Sequence, residues 1–209
     1  MKRAISLILV FTALLTLLAC GKKPVQQIPQ SEEELKTLIV YFSANNTVDV
    51  DAVSGATPIV DGQGATAYLA NLIHNEVGGD LYPITPLRDY PLDYDAAADA
   101  AKKETDGDAR PGYTLDVNPE DYDVIFIGYP MWWYTLPMVF YTFFDDYDLS
   151  GKTIIPFNTH AGSRDGGTWR EIAQFEPNAT VLDGLAVSGK SVGSGTESDV
   201  SAWLKGLGF

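Results

Sequence analysis

The sequence predicts one α/β domain in three layers, with helices on both faces of a central parallel sheet of five strands. Short apolar runs rich in β-branched and aromatic residues recur along the chain, as in strands that are buried on both faces. Segments with apolar residues at helical spacing alternate with these runs, which is typical of right-handed strand–helix–strand crossovers. The 209 residues are enough for one such domain with a full core.

The amino terminus is predicted to be a leader that precedes the domain. Two positive residues are followed by an apolar run, residues 5–18, of signal-peptide length and too short to span a membrane comfortably. The run ends in LLACG at residues 17–21, which resembles the lipoprotein signal of bacteria. The resemblance implies a signal peptide over residues 1–19 and lipidation of Cys20, the only cysteine of the chain. An ordinary secretion signal is the alternative.

Residues 20–36 have the composition of a linker. They include two prolines and three successive glutamates and show no apolar period. This predicts a flexible tether from Cys20 to a domain over residues 37–209. The expected location is the cell envelope outside the cytoplasm, with the membrane contacted through the lipid anchor only.

The charge balance restricts the classes of ligand. There are 28 acidic against 14 basic side chains, and the formal net charge is −14. Such a surface disfavours nucleic acid and anionic membrane as direct ligands and suits docking to basic partners. The two histidines, His74 and His160, with one cysteine are too few for a structural zinc site, so no metal is expected.

The first strand is predicted over Thr37–Phe42, and Ser43 and Asn45 follow at its carboxyl end among other small and hydroxyl residues. The first helix could start directly after this strand or near Ala65. The later start is favoured because residues 48–63 carry turn residues and no helical period, which indicates an inserted loop.

Residues 66–77 then have apolar positions at helical spacing. At the start of this helix, Gly64 and Thr66 would offer N–H groups and the helix dipole to a phosphate, or would only cap the helix. A short second strand is predicted over Asp80–Thr85. Within the polar region 88–116, Tyr94–Lys103 is predicted to be one exposed helix, and the tyrosines of the region would cover either the sheet edge or the mouth of a site.

The third strand, Val124–Ile127, is followed by an unusual aromatic segment. The apolar run is predicted to end where Gly128 and Pro130 interrupt it. Ligands bind at the carboxyl ends of strands in open α/β sheets. Three adjacent large rings cannot all point inward from one loop, so at least one should face a groove that suits a flat ligand; the alternative is that the rings cap the core. The segment comprises Met131, Trp132, Trp133 and Tyr134.

A second loop of small residues follows the predicted fourth strand, Lys152–Phe157. It spans residues 158–168 and contains Thr159, His160, Gly162 and Ser163. The remaining predicted elements are a short helix over Thr168–Phe175, a fifth strand over Thr180–Val187 and a closing helix over Glu197–Leu207.

Three loops are therefore expected at one edge of the sheet. An anion cradle beside a flat aromatic slot suits a phosphate joined to a planar ring, as in flavin mononucleotide, FMN. The sequence contains neither GxGxxG nor GxxxxGK[ST], so the dinucleotide and P-loop nucleotide signatures are missing.

Residues 37–207 resemble the flavodoxin-like superfamily, and most of all its branch of bacterial flavodoxin-domain lipoproteins. In that branch the third strand is followed by G-x-P-x-W-W, matched here by GYPMWW at residues 128–133, and the fourth-strand loop carries T-x-x-G-S, matched by THAGS at residues 159–163. The resemblance implies the strand order 2-1-3-4-5. The first loop differs, because Ala65 stands where the family pattern G-N-T has asparagine.

The resemblance also implies FMN as the cofactor, with redox chemistry carried by the flavin and no catalytic side chain. The phosphate would be held by Ser43, Asn45, Gly64, Ala65, Thr66 and neighbouring N–H groups. The ring would be flanked by two sets of residues: Pro130, Met131, Trp132, Trp133 and Tyr134 on the first loop, and Thr159, His160, Gly162 and Ser163 on the second.

The predicted function is electron transfer by a lipid-anchored FMN protein that docks redox partner proteins. One alternative is an FMN-dependent NAD(P)H:quinone-type oxidoreductase with a small-molecule acceptor, which the wide aromatic site favours. Another is a non-redox binding lipoprotein that has lost the cofactor, which Ala65 and the insertion favour. A serine hydrolase using Ser43 or Ser163 with His160 is disfavoured because the chain has no GxSxG elbow.

Overall fold

The computed structural model describes residues 26–28, 35–43, 62–91 and 93–209. The predicted signal peptide, Cys20, Asn45 and nearly all of the predicted insertion at 48–63 lie outside the described residues. Within the described part of the chain, no helix is long and apolar enough to cross a bilayer.

The described residues form strands and helices in alternation. The helices are α1 (Ala65–Val77), α2 (Tyr94–Asp106), α3 (Val139–Asp146), α4 (Thr168–Phe175) and α5 (Thr196–Leu207). The strands are β1 (Thr37–Tyr41), β2 (Asp80–Pro83), β3 (Thr85–Pro86), β4 (Tyr113–Thr114), β5 (Val124–Pro130), β6 (Thr153–His160), β7 (Thr180–Val181) and β8 (Leu185–Ser188).

The main sheet is parallel and has the order β2-β1-β5-β6-β7, with β8 also paired to β6. Since β7 and β8 share the fifth position, this is the predicted order 2-1-3-4-5. Side chains alternate between two buried clusters. Leu38 and Ile125 belong to the cluster that includes α3, whereas Ile39 and Phe126 belong to the cluster that includes α1 and α5. The predicted three-layer α/β fold is confirmed.

The fifth strand is interrupted, although it was predicted as one strand over Thr180–Val187. β7 pairs with Thr153 and Ile154, and β8 pairs with β6 again only from Phe157 onward. Pro156 lies at the gap and has no N–H to donate to a neighbouring strand. The adjacent Gly184 passes so close that a Cβ there would lie 2.2 Å from the Pro156 carbonyl oxygen. Residues 182–184 therefore form no strand pairing with β6.

The third and fourth strands are longer than predicted. β5 continues through Gly128 to Pro130, and β6 continues past Phe157 to His160. Gly128 does not break its strand because its missing side chain makes room for a core ring, since a Cβ at this position would lie 2.1 Å from Cζ of Phe157. Pro130 and Thr159 are consequently paired strand residues and not loop residues.

The region between β2 and β5 carries a small sheet and a helix. β3 and β4 pair antiparallel, which the sequence analysis missed. α2 extends beyond the predicted end at Lys103 to Asp106, and the Asp93 side chain caps its start by accepting the Ala96 N–H at 2.9 Å. Only Ala97 and Ala101 of α2 are buried, so the helix lies on the surface of the domain.

A short part of the predicted tether, residues 26–28, contacts the domain. The Ile28 N–H donates to the Leu207 carbonyl oxygen at 3.1 Å, at the end of α5. The Ile28 side chain packs against the cluster that contains Ile39 and Phe126. The tether is therefore attached to α5 at this point, where free chain was expected.

Candidate functional site

The candidate site lies where the central strands end. β1 and β5 are neighbours, but the chain leaves β1 through α1 toward β2 on one side and leaves β5 through α3 toward β6 on the other. Such a reversal opens a crevice at the carboxyl edge of a parallel sheet. Three segments border this edge: Ser43 with the start of α1, residues 131–135 after β5, and residues 161–167 after β6.

Residues 132–135 form a tight reversal, called here the aromatic turn. The Trp132 N–H donates to the Thr135 carbonyl oxygen at 3.0 Å, and the Thr135 N–H donates back to the Trp132 carbonyl oxygen at 2.9 Å. Trp133 and Tyr134 occupy the two corner positions with φ of +48° and +67°. Two-residue turns with positive φ at both corners favour asparagine and glycine. Other residues held in this conformation raise the free energy of the folded state by about 1–3 kcal/mol each. The protein thus retains two large rings in a strained backbone.

The turn separates the three aromatic residues. Trp132 is 1% exposed, whereas Trp133 is 42% and Tyr134 is 75% exposed. The Trp132 ring packs edge-on against Phe42 and Tyr90, with centroids 5.2 and 4.7 Å away. Trp132 is therefore a core residue, which corrects its predicted place beside the ligand ring. The chain reversal turns one indole inward and carries the next two rings outward.

A cavity of about 620 Å³ lies against the exposed rings, within the size range of small-molecule sites. Its three walls come from the aromatic turn, from the loop after β6 and from one face of α2. The lining residues are Met131, Trp133, Tyr134, Ala161, Gly162, Ser163, Tyr94, Asp95, Ala98 and Asp99.

Helix α2 is fixed to the aromatic turn. The Trp133 indole N–H donates to the Ala98 carbonyl oxygen at 3.0 Å. The Lys102 ammonium lies 5.7 Å from the Trp133 ring centroid and is paired with Asp106. Of the tyrosines that could have covered the site, Tyr94 lines the cavity, while Tyr90 packs inside and donates to Glu104 at 2.7 Å.

The wall that α2 contributes was missed by the sequence analysis. Asp95, Ala98 and Asp99 have the composition of a solvent-facing helix surface, and nothing in their spacing distinguishes a cavity wall from such a surface.

His160 orders the loop after β6 and does not line the cavity. Its Nδ1 accepts the Gly162 N–H at 2.9 Å, so the neutral ring carries its proton on Nε2. Burial lowers the pKa of His160, and the positive charge of Arg164 lowers it further, against an opposing effect of Asp165. Gly162 has φ of +130°, which a residue with a side chain rarely adopts. The loop thus depends on a neutral histidine and a glycine.

The start of α1 provides the candidate anion cradle. Gly64, Ala65 and Thr66 are buried, and the N-cap residue, Gly64, has no side chain. The first N–H groups of a helix have no partner within the helix, and they attract anions. The Thr66 hydroxyl lies 2.9 Å from the hydroxyl of Thr159. Ser43, half-buried after β1, borders the same edge.

A hydrogen-bond network behind the aromatic turn holds it in place. The Thr135 hydroxyl donates to a Glu171 carboxylate oxygen at 2.8 Å, and the Tyr141 hydroxyl donates to the other oxygen. Burial, followed by the hydrogen bond with Glu171, raises the pKa of Tyr141 to about 12. The turn is thereby tied to α3 and α4. Glu171 is 36 residues from Thr135 and 30 from Tyr141, and no sequence pattern indicates these contacts.

These features fit a planar ligand that carries a phosphate. The exposed faces of Trp133 and Tyr134 offer an apolar wall, and the start of α1 offers the positive end of the helix dipole. The hydrogen bond between Thr66 and Thr159 links the two parts, because Thr159 lies two residues before Ala161, the first cavity-lining residue of the loop after β6. The described residues predicted to bind the ligand thus lie along one edge, with Trp132 turned into the core.

A sequence model of the flavodoxin family matches residues 36–207. The chain belongs to the flavodoxin family. Putative flavoproteins of Bacteroides eggerthii and Bacteroides uniformis, both with crystal structures, are 30% and 28% identical to this flavodoxin-family chain. The alignments cover 84% and 83% of the chain and 99% of each relative, with TM-scores of 0.62 and 0.64.

A flavoprotein of Lactobacillus acidophilus, crystallised in complex with FMN, shares the fold at 21% identity and a TM-score of 0.58; the alignment covers 82% of this chain and 99% of that one. No curated protein matches the chain. The predicted superfamily is confirmed by the family match. FMN, the predicted cofactor, agrees with membership of the flavodoxin family and is the ligand of the L. acidophilus protein.

Proposed function

We propose that this flavodoxin-family protein binds FMN at the carboxyl edge of the sheet and transfers electrons, anchored outside the cytoplasm by a lipid on Cys20. The observation that carries the proposal is the continuity of the site. The start of α1 and a cavity with two exposed aromatic rings are joined through the hydrogen bond between Thr66 and Thr159. The match to the flavodoxin family supports the same cofactor.

Bound FMN would supply the ability to accept and release electrons. The chain's own residues bind and orient it. N–H groups at Gly64–Thr66 would hold the phosphate, while Trp133, Tyr134 and the loop 161–163 would hold the ring. Glu171 keeps the aromatic turn in place through Thr135. Helix α2, bonded to Trp133, forms one side of the cavity.

The chain's charges would favour the oxidised cofactor. Asp95 and Asp99 lie in the cavity wall, and the sequence contains no lysine or arginine between Lys36 and Arg88. Adding an electron beside fixed negative charges is unfavourable, and a cavity with few cations does not offset it. We therefore expect a reduction potential below that of free FMN.

The test is the visible spectrum of protein purified after native processing of its leader, followed by titration of the apoprotein with FMN. A yellow protein, or apoprotein that takes up one equivalent of FMN, is the expected result. A colourless protein that does not bind added FMN would instead favour the non-redox binding lipoprotein, for which Ala65 is the sequence argument.

A second candidate function is an FMN-dependent oxidoreductase that acts on a small molecule. The observation that favours it is the α2 wall: Tyr94, Asp95, Ala98 and Asp99 close one side of the cavity and leave about 620 Å³ beside the aromatic turn. Docking of a protein partner requires no such enclosed space. Steady-state turnover with NAD(P)H and a quinone would establish the enzyme, and electron exchange with redox proteins alone would establish the carrier.

A further inference from the structure

The cavity beside the aromatic turn is negatively charged. Asp95 and Asp99 lie one helical turn apart on the face of α2 that lines it, and none of the lining residues is lysine or arginine. The ion pairs among the described residues involve Lys102 and Arg110, and neither Asp95 nor Asp99 takes part in one. Both carboxylates are exposed, so they are available to a ligand that enters the cavity.

Two cations lie close in sequence to cavity-lining residues: Lys102 on α2, and Arg164, which directly follows Ser163 but is exposed and does not line the cavity. Lys102, three residues after Asp99 on α2, is paired with Asp106.

The aromatic rings beside the carboxylates suit a cation as well. Trp133 already holds the Lys102 ammonium 5.7 Å from its ring centroid, and Tyr134 exposes most of its surface at the cavity. Aromatic faces attract cations and stack on flat rings. Carboxylates add a charge attraction and repel anions.

We propose that this cavity selects planar organic cations as the electron donors or acceptors of the protein, with Asp95 and Asp99 as the residues that determine this specificity. The inference rests on the proposed function, because it concerns the molecule that meets the bound flavin. It therefore counts against NAD(P)H as the electron donor in the second candidate function, because nicotinamide dinucleotides are anionic and the α2 wall carries two carboxylates.

Three probes of one shape and different charge test the inference. They are oxidised methyl viologen, a planar dication; 4,4′-bipyridine, which is neutral at pH 8; and biphenyl-4,4′-dicarboxylate, a dianion. Binding to the mature full-length protein is measured by calorimetry at low ionic strength, with and without saturating FMN. The dication should bind about tenfold more tightly than the neutral probe, with the advantage lost at high salt, and the dianion should not bind measurably.

Two double variants with the same change of net charge separate the cavity from the general surface. Asp95→Asn with Asp99→Asn should lower the affinity for the dication about tenfold. Glu197→Gln with Asp199→Asn, at exposed positions on α5 that do not line the cavity, should leave it unchanged. Equal losses in the two variants, or a dianion that binds as well as the dication, would overturn the inference.

The measurements with and without saturating FMN distinguish failure of this inference from failure of the proposed function. Protein that binds no FMN but retains the charge preference and its dependence on Asp95 and Asp99 refutes the proposed flavoprotein while the cavity's selectivity stands. Complete displacement of the dication by FMN shows that the cavity is filled by the flavin itself, and then the specificity inference fails while the proposed cofactor holds.

Discussion

The hydroxyl oxygens of Thr66 and Thr159 lie 2.9 Å apart, although the two residues are 93 positions apart in the sequence. Both side chains are fully buried. One residue stands in the first turn of α1, and the other is the second-last residue of β6. This hydrogen bond joins the part of the site suited to a phosphate to the part suited to a ring.

FMN should bind more tightly than riboflavin, because N–H groups at the start of α1 would make charge-assisted bonds to the phosphate. Thr66→Ala should weaken FMN binding by about 1.5–3 kcal/mol if its hydroxyl contributes one such bond. Thr66→Ser, which keeps the hydroxyl, is the control. Fluorescence titrations with both ligands check this; equal losses for FMN and riboflavin would show that Thr66 acts only by holding Thr159.

The three aromatic residues should respond differently to alanine. Trp132→Ala removes a buried indole and should lower the free energy of unfolding by about 3–5 kcal/mol. Trp133→Ala and Tyr134→Ala remove exposed rings, so they should weaken binding of oxidised FMN and raise its reduction potential without unfolding the domain. Melting temperature, FMN affinity and midpoint potential are the measurements. Loss of stability in all three, with unchanged affinity and potential, would make the turn structural.

Relief of backbone strain in the aromatic turn should stabilise the protein. Replacing Trp133 by Asn together with Tyr134 by Gly introduces the pair that positive-φ hairpin turns favour, and we expect a gain of about 1 kcal/mol or more in unfolding free energy. FMN affinity should fall at the same time because both rings are lost. Urea unfolding of the apoprotein checks the first effect. A less stable variant would indicate that ring packing outweighs the strain.

Acidification should destabilise the loop after β6. The folded protein lowers the pKa of His160 below its ordinary value of 6.5, so the unfolded chain binds the proton more readily. Stability from the neutral ring is present above about pH 6.5 and is lost as the pH falls from there to the lowered pKa. Protonation also removes the acceptor of the Gly162 N–H. His160→Asn should reduce this part of the pH dependence in urea titrations at pH 7.5 and 5.5; identical profiles would exclude the role.

Cys20→Ser should release the protein from the membrane fraction or leave the precursor unprocessed, because no other cysteine can accept the lipid. Cell fractionation with immunoblotting checks the prediction. A variant that matures and fractionates like the wild type would contradict the lipoprotein assignment.

The fold could be predicted from sequence because its signals are local. The apolar runs that form β1 and β5 are continuous, and α1 shows its helical period after a stretch of turn residues. The ends of strands were harder to predict. Gly128 is typical of a strand end. In the structure, however, the Phe157 ring from the neighbouring strand fills the space above Gly128, and the residues around Gly128 in the sequence give no sign of this contact.

The site could be predicted only in part. Three adjacent large side chains predict that at least one ring lies outside the core. Which of them is buried depends on the turn that Trp132 forms with Thr135, and the sequence does not show that turn. The cavity wall formed by α2 depends on where the helix packs in the fold. Asp95 and Asp99 are equally typical of a helix face that only meets solvent, so their sequence does not indicate a cavity.

If Cys20 carries a lipid, the contact between Ile28 and Leu207 restricts how the domain can face the membrane. Phe209, just beyond α5, packs against Phe126 near the start of β5, so this contact lies at the edge of the sheet opposite the cavity. A lipid on Cys20 would be only eight residues from Ile28, a reach of about 28 Å when fully extended. The domain would thus stand on the bilayer with its cavity pointing outward, toward water-soluble electron partners and away from quinones dissolved in the lipid.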